Sequence, residues 1–225
     1  MRKITAAPVL TFVVLLSLVV ALATGTDCLL LGWLPLGDFR GVIMALGWVL
    51  LVYLYAIAVY RVFLRYCPLR EGEIAERSRE EFGYQVYLLF YLLLFYPLTR
   101  NHLLPTPLMR LLYQALGARL GDNSYSAGVI MDPPLTELGA NTLIGHDAVL
   151  FSHALEGRQL SHARIRIGDN VTVGAKAIVM SGVTIGDGAM VAAGAVVAKG
   201  TRIAPGEIWG GNPARLLKSP GTVVE

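Results

Sequence analysis

The sequence predicts an N-terminal α-helical transmembrane region followed by a mainly β domain, a parallel β-helix. Three observations carry this. From Ile167 to Trp209 a large apolar residue returns at every sixth position: Ile167, Val173, Val179, Ile185, Val191, Val197, Ile203, Trp209. Residues 4–26 and 41–60 contain no charged residue. Arginines then gather just after the second of these runs, at Arg61, Arg65, Arg70, Arg77 and Arg79.

The 225 residues are 55% hydrophobic and only 16% charged, and the apolar excess lies in the first half. At about 1.5 Å per helical residue, each uncharged run is long enough to cross a hydrocarbon layer of roughly 30 Å. Arg2, Lys3 and Ala21-Leu22-Ala23 also fit a cleaved secretory signal around the first run. That run is longer than a signal core, however, and a second full span follows at once. The connection between the runs holds only Arg40 with Asp27 and Asp38, so the positive-inside rule places both termini in the cytoplasm. The expectation is a multi-pass protein of the cell inner membrane, with residues 1–66 forming two transmembrane helices and the C-terminal domain on the cytoplasmic side. The net charge of +3 reflects this flank, and no basic patch interleaved with aromatics points to nucleic acid. Cys28 and Cys67 sit at opposite ends of the second span and cannot pair.

Residues 67–118 read as a linker followed by interfacial or re-entrant helices. Tyr84–Leu98 is apolar but short for a span, and Leu103–Leu116 is broken by Pro105 and Pro107 and carries Arg110. The pair reads as helices lying along the membrane face, packed between bilayer and repeat domain. Two short crossings would give the same sidedness. His102 reads as interfacial.

Residues 119–218 form the repeat domain, and 219–225 a tail. A small residue usually follows each large one (Gly168, Gly174, Gly186, Ala192), and a small or β-branched residue sits four places on (Val171, Ala177, Val183, Ala189). A period of six fits neither a helix nor plain alternation. It fits short strands wound around one stacked core. The rhythm extends upstream through Leu150, Ile144 and Leu138, and more faintly to Leu120. Between Leu150 and Ile167 lie 17 steps, read as two periods plus about five residues that bulge outward at 151–166. This insertion (FSHALEGRQLSHARIR) holds two of the four histidines, and a polar break in a regular coil is where function concentrates.

Residues 138–218 resemble the hexapeptide-repeat acyltransferases, in particular the maltose, galactoside and xenobiotic acetyltransferase group. IGDNVTVGAKAIVMSGVTIGDGAMVAAGAVVAKG and then WGGNPARLL carry the likeness. Membrane helices, a linker CPLREGEIAERSREEF and ALGARLGDN leading into repeats resemble membrane-bound members such as the C-terminal regions of polylysine synthetases. The resemblance implies a left-handed, three-sided β-helix that forms homotrimers, with acetyl-CoA or another acyl-CoA bound between two subunits. It also implies a histidine that deprotonates an acceptor hydroxyl or amine for direct attack on the thioester.

On that resemblance His153 is the first candidate base. It stands about fourteen residues before the Ile167-Gly168-Asp169-Asn170 that resumes the coil, although Ala154 follows it where the family usually has proline. An imidazole is suited to the task because it exchanges protons near neutral pH. Glu156 is placed to orient it by accepting a hydrogen bond from its other ring nitrogen, or is a solvated loop carboxylate. His146, in Ile144-Gly145-His146-Asp147, is the alternative base. His162 and Arg158 are candidates for acceptor binding. Ala175, Ala193, Ala198, Lys199, Pro213 and Arg215 match cofactor-side positions, the small residues admitting a pantetheine arm and the cations meeting phosphates. The γ-class carbonic anhydrases share the repeat and bind zinc through paired histidine rungs. Residues from 167 onward contain no histidine, so no metal is expected.

These readings converge on a membrane-bound, CoA-dependent O-acetyltransferase acting on a membrane lipid or lipid-linked glycan. The competing reading is a non-catalytic trimeric membrane scaffold or spacer.

Overall fold

The computed structural model describes residues 2–100 and 103–221, so His102 and the end of the tail lie outside it. Helices α1 (Ala6–Leu31) and α2 (Arg40–Tyr66) pack as a hairpin. Their seam is pinned by Trp48 Nε1 donating to Thr24 Oγ1 at 3.0 Å and by a 2.7 Å bond between the hydroxyls of Thr26 and Tyr55. Leu10, Val14, Leu29, Leu46 and Leu50 point away from the seam and are each at least 60% exposed. So much apolar surface is unsuited to water. By length and composition three helical stretches are able to cross a membrane: α1, Gly37–Tyr66 and Arg79–Arg100.

The third stretch is longer than its apolar core suggests. Helix α3 (Arg79–Phe90) starts in the polar linker, where Ser78 Oγ caps it by accepting from Glu81 N at 3.1 Å. It runs through a π turn (Tyr91–Phe95) into α4 (Tyr96–Arg100). Half of the stretch is buried inside the protein. Its tyrosines explain the burial. Tyr87 OH donates to Met131 O at 2.8 Å, and Tyr91 OH donates to Ile130 O at 2.6 Å. Both carbonyls belong to the first coil of the β domain, so α3 sits directly on the coils.

Helix α5 (Thr106–Leu116) opens with Pro107 in its first turn, where no amide donor is needed, and stops at Gly117. Gly117 takes the left-handed conformation (φ 113°), and Ala118 N then closes on Tyr113 O at 2.9 Å. Arg110 donates to the carbonyls of Gly121 and Ser124, and Tyr113 OH to that of Gly128. Helix α5 thus covers the open end of the first coil.

The coils bear out the period. Strands pair in parallel with partners 18 residues apart, as in Thr172 with Met190, Ile178 with Val196 and Thr184 with Arg202. Three sheets result, one per side, as in a left-handed β-helix with three hexapeptides per turn. The large sixth residues stack inside, with Val173, Val179, Val191 and Val197 fully buried. Small residues beside them let the coils approach. A Cβ on Gly174 would lie 2.4 Å from Ala193 N. The first coil is irregular: its inward positions Ser126, Ile130 and Leu138 are four and then eight steps apart. A terminal hairpin (Ile208–Gly211 with Ala214–Lys218) closes the far end.

The insertion corrects the sequence count. Leu138 pairs with Ile167 and Leu150 with Val179, 29 residues apart where 18 is regular, so eleven residues are inserted rather than five. They form an antiparallel hairpin, His153–Glu156 with Gln159–His162, turning at Gly157 (φ 64°) and Arg158. The linker supplies a third strand: Gly72–Ile74 pairs with Leu160–His162.

Candidate active site

The hairpin leaves the coil at the corner between the sheet containing Val149–Leu150 and the sheet containing Ile165–Ile167. Asp132 projects from the same corner one coil earlier, because Ile130 pairs with Leu150 and the two chains then run on side by side. Asp132 Oδ2 accepts from His153 Nδ1 at 2.7 Å, from Ser152 N at 2.8 Å and from His153 N at 3.2 Å. Asp132 is 1% exposed. An acid removed from water needs such donors, and these fix its orientation as well as satisfying it. With Nδ1–H given to Asp132, the neutral imidazole carries its free lone pair on Nε2.

Burial opposes the charged form of His153. The hydrogen bond and the negative charge of Asp132 outweigh that effect and hold its pKa above the ordinary histidine value. His162, directly opposite on the hairpin, moves the other way. Burial lowers its pKa, the nearby His153 lowers it further, and Asp132 and the main chain of Arg70 only partly counter. His162 is 2% exposed, neither ring nitrogen has a hydrogen-bond partner within bonding distance among the described residues, and its ring packs edge-on against Tyr84 at 4.7 Å. Two neighbouring imidazoles are therefore pushed apart, the more basic one being held by the acid.

His153 lines two cavities. One, of about 300 Å3, is bounded by Phe151, Leu155, Glu156, Ser181 and Lys199. The other, of about 360 Å3, runs to the helical region and is bounded by Tyr84, Leu88, Leu92, Met131, Leu155 and Leu160, with Arg2, Glu81 and Gln85. His153 and Leu155 are common to both. The polar end of the second cavity is held by Arg2, which donates to Glu81 Oε1 at 3.1 Å and to the carbonyls of Ile74 and Arg158 at 2.7 Å.

The other sequence-predicted residues are spread more widely. Glu156 does not reach His153. Its carboxylate accepts from Lys199 Nζ at 3.0 Å, and the orienting position belongs to Asp132. Arg158 lies at the hairpin tip, where it pairs with Glu76 at 3.0 and 2.8 Å outside both cavities. His146 lies on a different corner with its side chain 62% exposed. That corner also carries Ala175 and Ala193, stacked on successive coils by the bonds Lys176 N to His146 O and Gly194 N to Ala175 O. Ala198 and Lys199 share the corner of His153, one sheet away. Pro213 and Arg215 belong to the terminal hairpin and are exposed. The chain by itself thus does not gather the cofactor-side residues on one surface. Among the described residues no group of three or more His, Cys, Asp or Glu side chains is arranged to hold a metal.

Sequence reasoning missed Asp132. Asp132 stands in Met131-Asp132-Pro133-Pro134, where the irregular first coil breaks the period, so its alignment with His153 shows only in three dimensions.

With this geometry in view, comparison with known proteins places the repeat. Residues 164–199 match the family described as bacterial transferase hexapeptide (six repeats). No curated protein matches the chain. Solved structures similar to it include a hexapeptide-repeat-containing acetyltransferase from Vibrio cholerae O1 biovar eltor complexed with acetyl coenzyme A, 31% identical over 46% of this chain and 60% of that one, with a TM-score of 0.42. A maltose O-acetyltransferase from Clostridium difficile 630 is 26% identical over 46% of this chain and 59% of that one, with a TM-score of 0.42. A galactoside acetyltransferase in complex with coenzyme A is 20% identical over 71% of this chain and 90% of that one, with a TM-score of 0.45. The chain spans about 60% of the length of the first two.

Proposed function

We propose that this chain is a membrane-bound, CoA-dependent acyltransferase, an O-acetyltransferase that moves an acetyl or acyl group from acyl-CoA to a hydroxyl of a membrane lipid or lipid-linked glycan. The observation that carries the reading is the position of His153. Its imidazole, held by a buried acid, stands in the wall between a cavity containing Lys199 and a largely apolar cavity that runs to the helices. A base so placed meets a donor on one side and a lipid-borne acceptor on the other.

In this mechanism His153 Nε2 takes the proton of the acceptor hydroxyl as the oxygen attacks the thioester carbonyl. Asp132 stabilises the resulting imidazolium through Nδ1. As the C–S bond breaks, His153 returns the proton to the departing thiolate, which restores the neutral base and releases the free thiol. The apolar cavity takes the acyl chain of the acceptor and keeps bulk water from competing with it.

Donor binding falls to the coil corners. Ala175 and Ala193 leave main chain open along one corner, Ala198 and Lys199 do so on the next, and Arg215 adds charge for phosphates. Because these corners are separate in one protomer, the reading includes a homotrimer in which the corner of one subunit faces that of its neighbour. It also includes a multi-pass position in the inner membrane with the coils in the cytoplasm, where acyl-CoA is made.

The test is transfer from acetyl-CoA by the purified full-length protein, together with mass spectrometry of lipids and lipid-linked glycans from cells with and without it. An acetylated lipid species that depends on the protein supports the reading. Soluble sugars acetylated as well as any lipid extract overturn it. A scaffold would show no saturable affinity for acetyl-CoA.

A further inference from the structure

Two adjoining cavities lie at the C-terminal end of α2, lined by none of the residues that line the His153 cavities. The larger, of about 430 Å3, is lined by Arg61, Arg65, Arg119 and Arg164, with Leu64 and Pro68 among its apolar walls. The other, of about 390 Å3, shares Arg65 and Pro68 with it and adds Arg70 and Arg79.

The arginines differ in how they are balanced. Arg119 and Arg164 are both held by Glu137, at 2.9 and 3.0 Å, and Arg164 also by Glu71 at 3.2 Å. They form a fixed floor. Arg79 donates to Tyr66 O, and Arg70 stands 3.9 Å from Glu80. Arg61 and Arg65 have no acidic partner and no side-chain hydrogen bond among the described residues, yet both face the larger cavity. Gly117 makes room for one of them, since a Cβ there would lie 2.9 Å from Arg61 Nη1.

We infer that this hollow binds the phosphate of an anionic membrane lipid, with Arg61 and Arg65 as its two principal ligands. The chemistry is that of a guanidinium fork meeting a tetrahedral anion. The source follows from position. The uncharged run of α2 ends at Tyr60, so Arg61 and Arg65 stand in the next helical turns, at the level where a spanning helix meets headgroups. Leu64 and Pro68 give the hollow an apolar wall beside the two guanidinium groups. A lipid here would bridge α2, the end of α5 and the first coil, and so fix the coils against the bilayer. The inference rests on the membrane position of α2 and not on acyl transfer, so either can fail alone.

The experiment is native mass spectrometry of the full chain from mixed micelles containing phosphatidylglycerol or phosphatidylcholine, with inorganic phosphate as a separate arm. Saturable retention of phosphatidylglycerol is expected, weakened by roughly tenfold in Arg61→Gln/Arg65→Gln and by less in Arg61→Lys/Arg65→Lys, which keeps the charge but loses the fork. Arg40→Gln, at the opposite end of α2, should leave it unchanged. Equal retention of both lipids, or unchanged retention in the glutamine double variant, overturns the site. Displacement of the lipid by inorganic phosphate at equal concentration overturns the lipid assignment.

Discussion

His153 Nδ1 lies 2.7 Å from Oδ2 of Asp132, although 21 residues separate the two in sequence. The coil brings them together: each turn returns the chain to the same corner, one strand spacing higher. In the proposed mechanism this pair sets both the tautomer and the basicity of the proton acceptor. Asp132→Asn should keep the fold and lower kcat by about 10²- to 10⁴-fold, the range spanned by general-base and orienting contributions. Stopped assays at saturating acetyl-CoA measure it.

The same variant carries a pH signature. A base works only when neutral, so a raised pKa places the acid limb of kcat/KM above the ordinary histidine range. Removing the Asp132 charge leaves burial acting alone, and burial lowers the pKa. The acid limb should therefore move to lower pH in Asp132→Asn, even as the plateau falls. A limb that stays in place would mean that another group titrates.

His153→Ala should abolish transfer while saturable acetyl-CoA binding remains. His146→Ala should retain near-full rate, because His146 sits on another corner, exposed to solvent. The opposite result would assign the proton transfer to His146. Glu156→Gln should raise KM for acetyl-CoA rather than lower kcat, since Glu156 bonds Lys199 and not the imidazole.

These expectations show what the sequence could and could not disclose. The core was legible because every inward position from Ile167 to Trp209 is spaced by one hexapeptide, and packing tolerates little deviation from that spacing. The insertion was miscounted because 17 steps divide as readily into two hexapeptides plus five residues as into one plus eleven, and only the pairing of Leu138 with Ile167 and of Leu150 with Val179 decides between them. Glu156 looked like the orienting acid by nearness in sequence. Strand geometry carries it away from the ring, and the true neighbour comes from the preceding coil. The α3 stretch looked short because its first turn is polar.

Leu88→Trp should obstruct the apolar cavity without touching His153. Transfer to a lipid acceptor should fall at least about tenfold, as expected when an acyl pocket loses room, whereas transfer to a short soluble alcohol should be unchanged. Equal loss for both acceptors would place the acceptor elsewhere.

Gly174→Ala tests the coil stack. The added methyl would meet Ala193 N at 2.4 Å, a main-chain atom that cannot swing aside. Overpacking of this kind costs roughly 1–3 kcal/mol, seen as a lower Tm of the detergent-solubilised protein.

The pairing of Gly72–Ile74 with Leu160–His162 has a practical consequence for anyone wishing to cut this molecule. A fragment that begins after the helices loses the outer strand of a three-stranded sheet and bares the flank beside His162, an open edge of the sort that invites self-association. It also loses Tyr84, Leu88 and Leu92, one bank of the second cavity. The hydrophobic half is therefore no detachable mooring. Excising it should yield a sticky, incomplete remnant, and a water-soluble derivative would need to retain the segment from Gly72 through α3 and have its exposed apolar side chains redesigned.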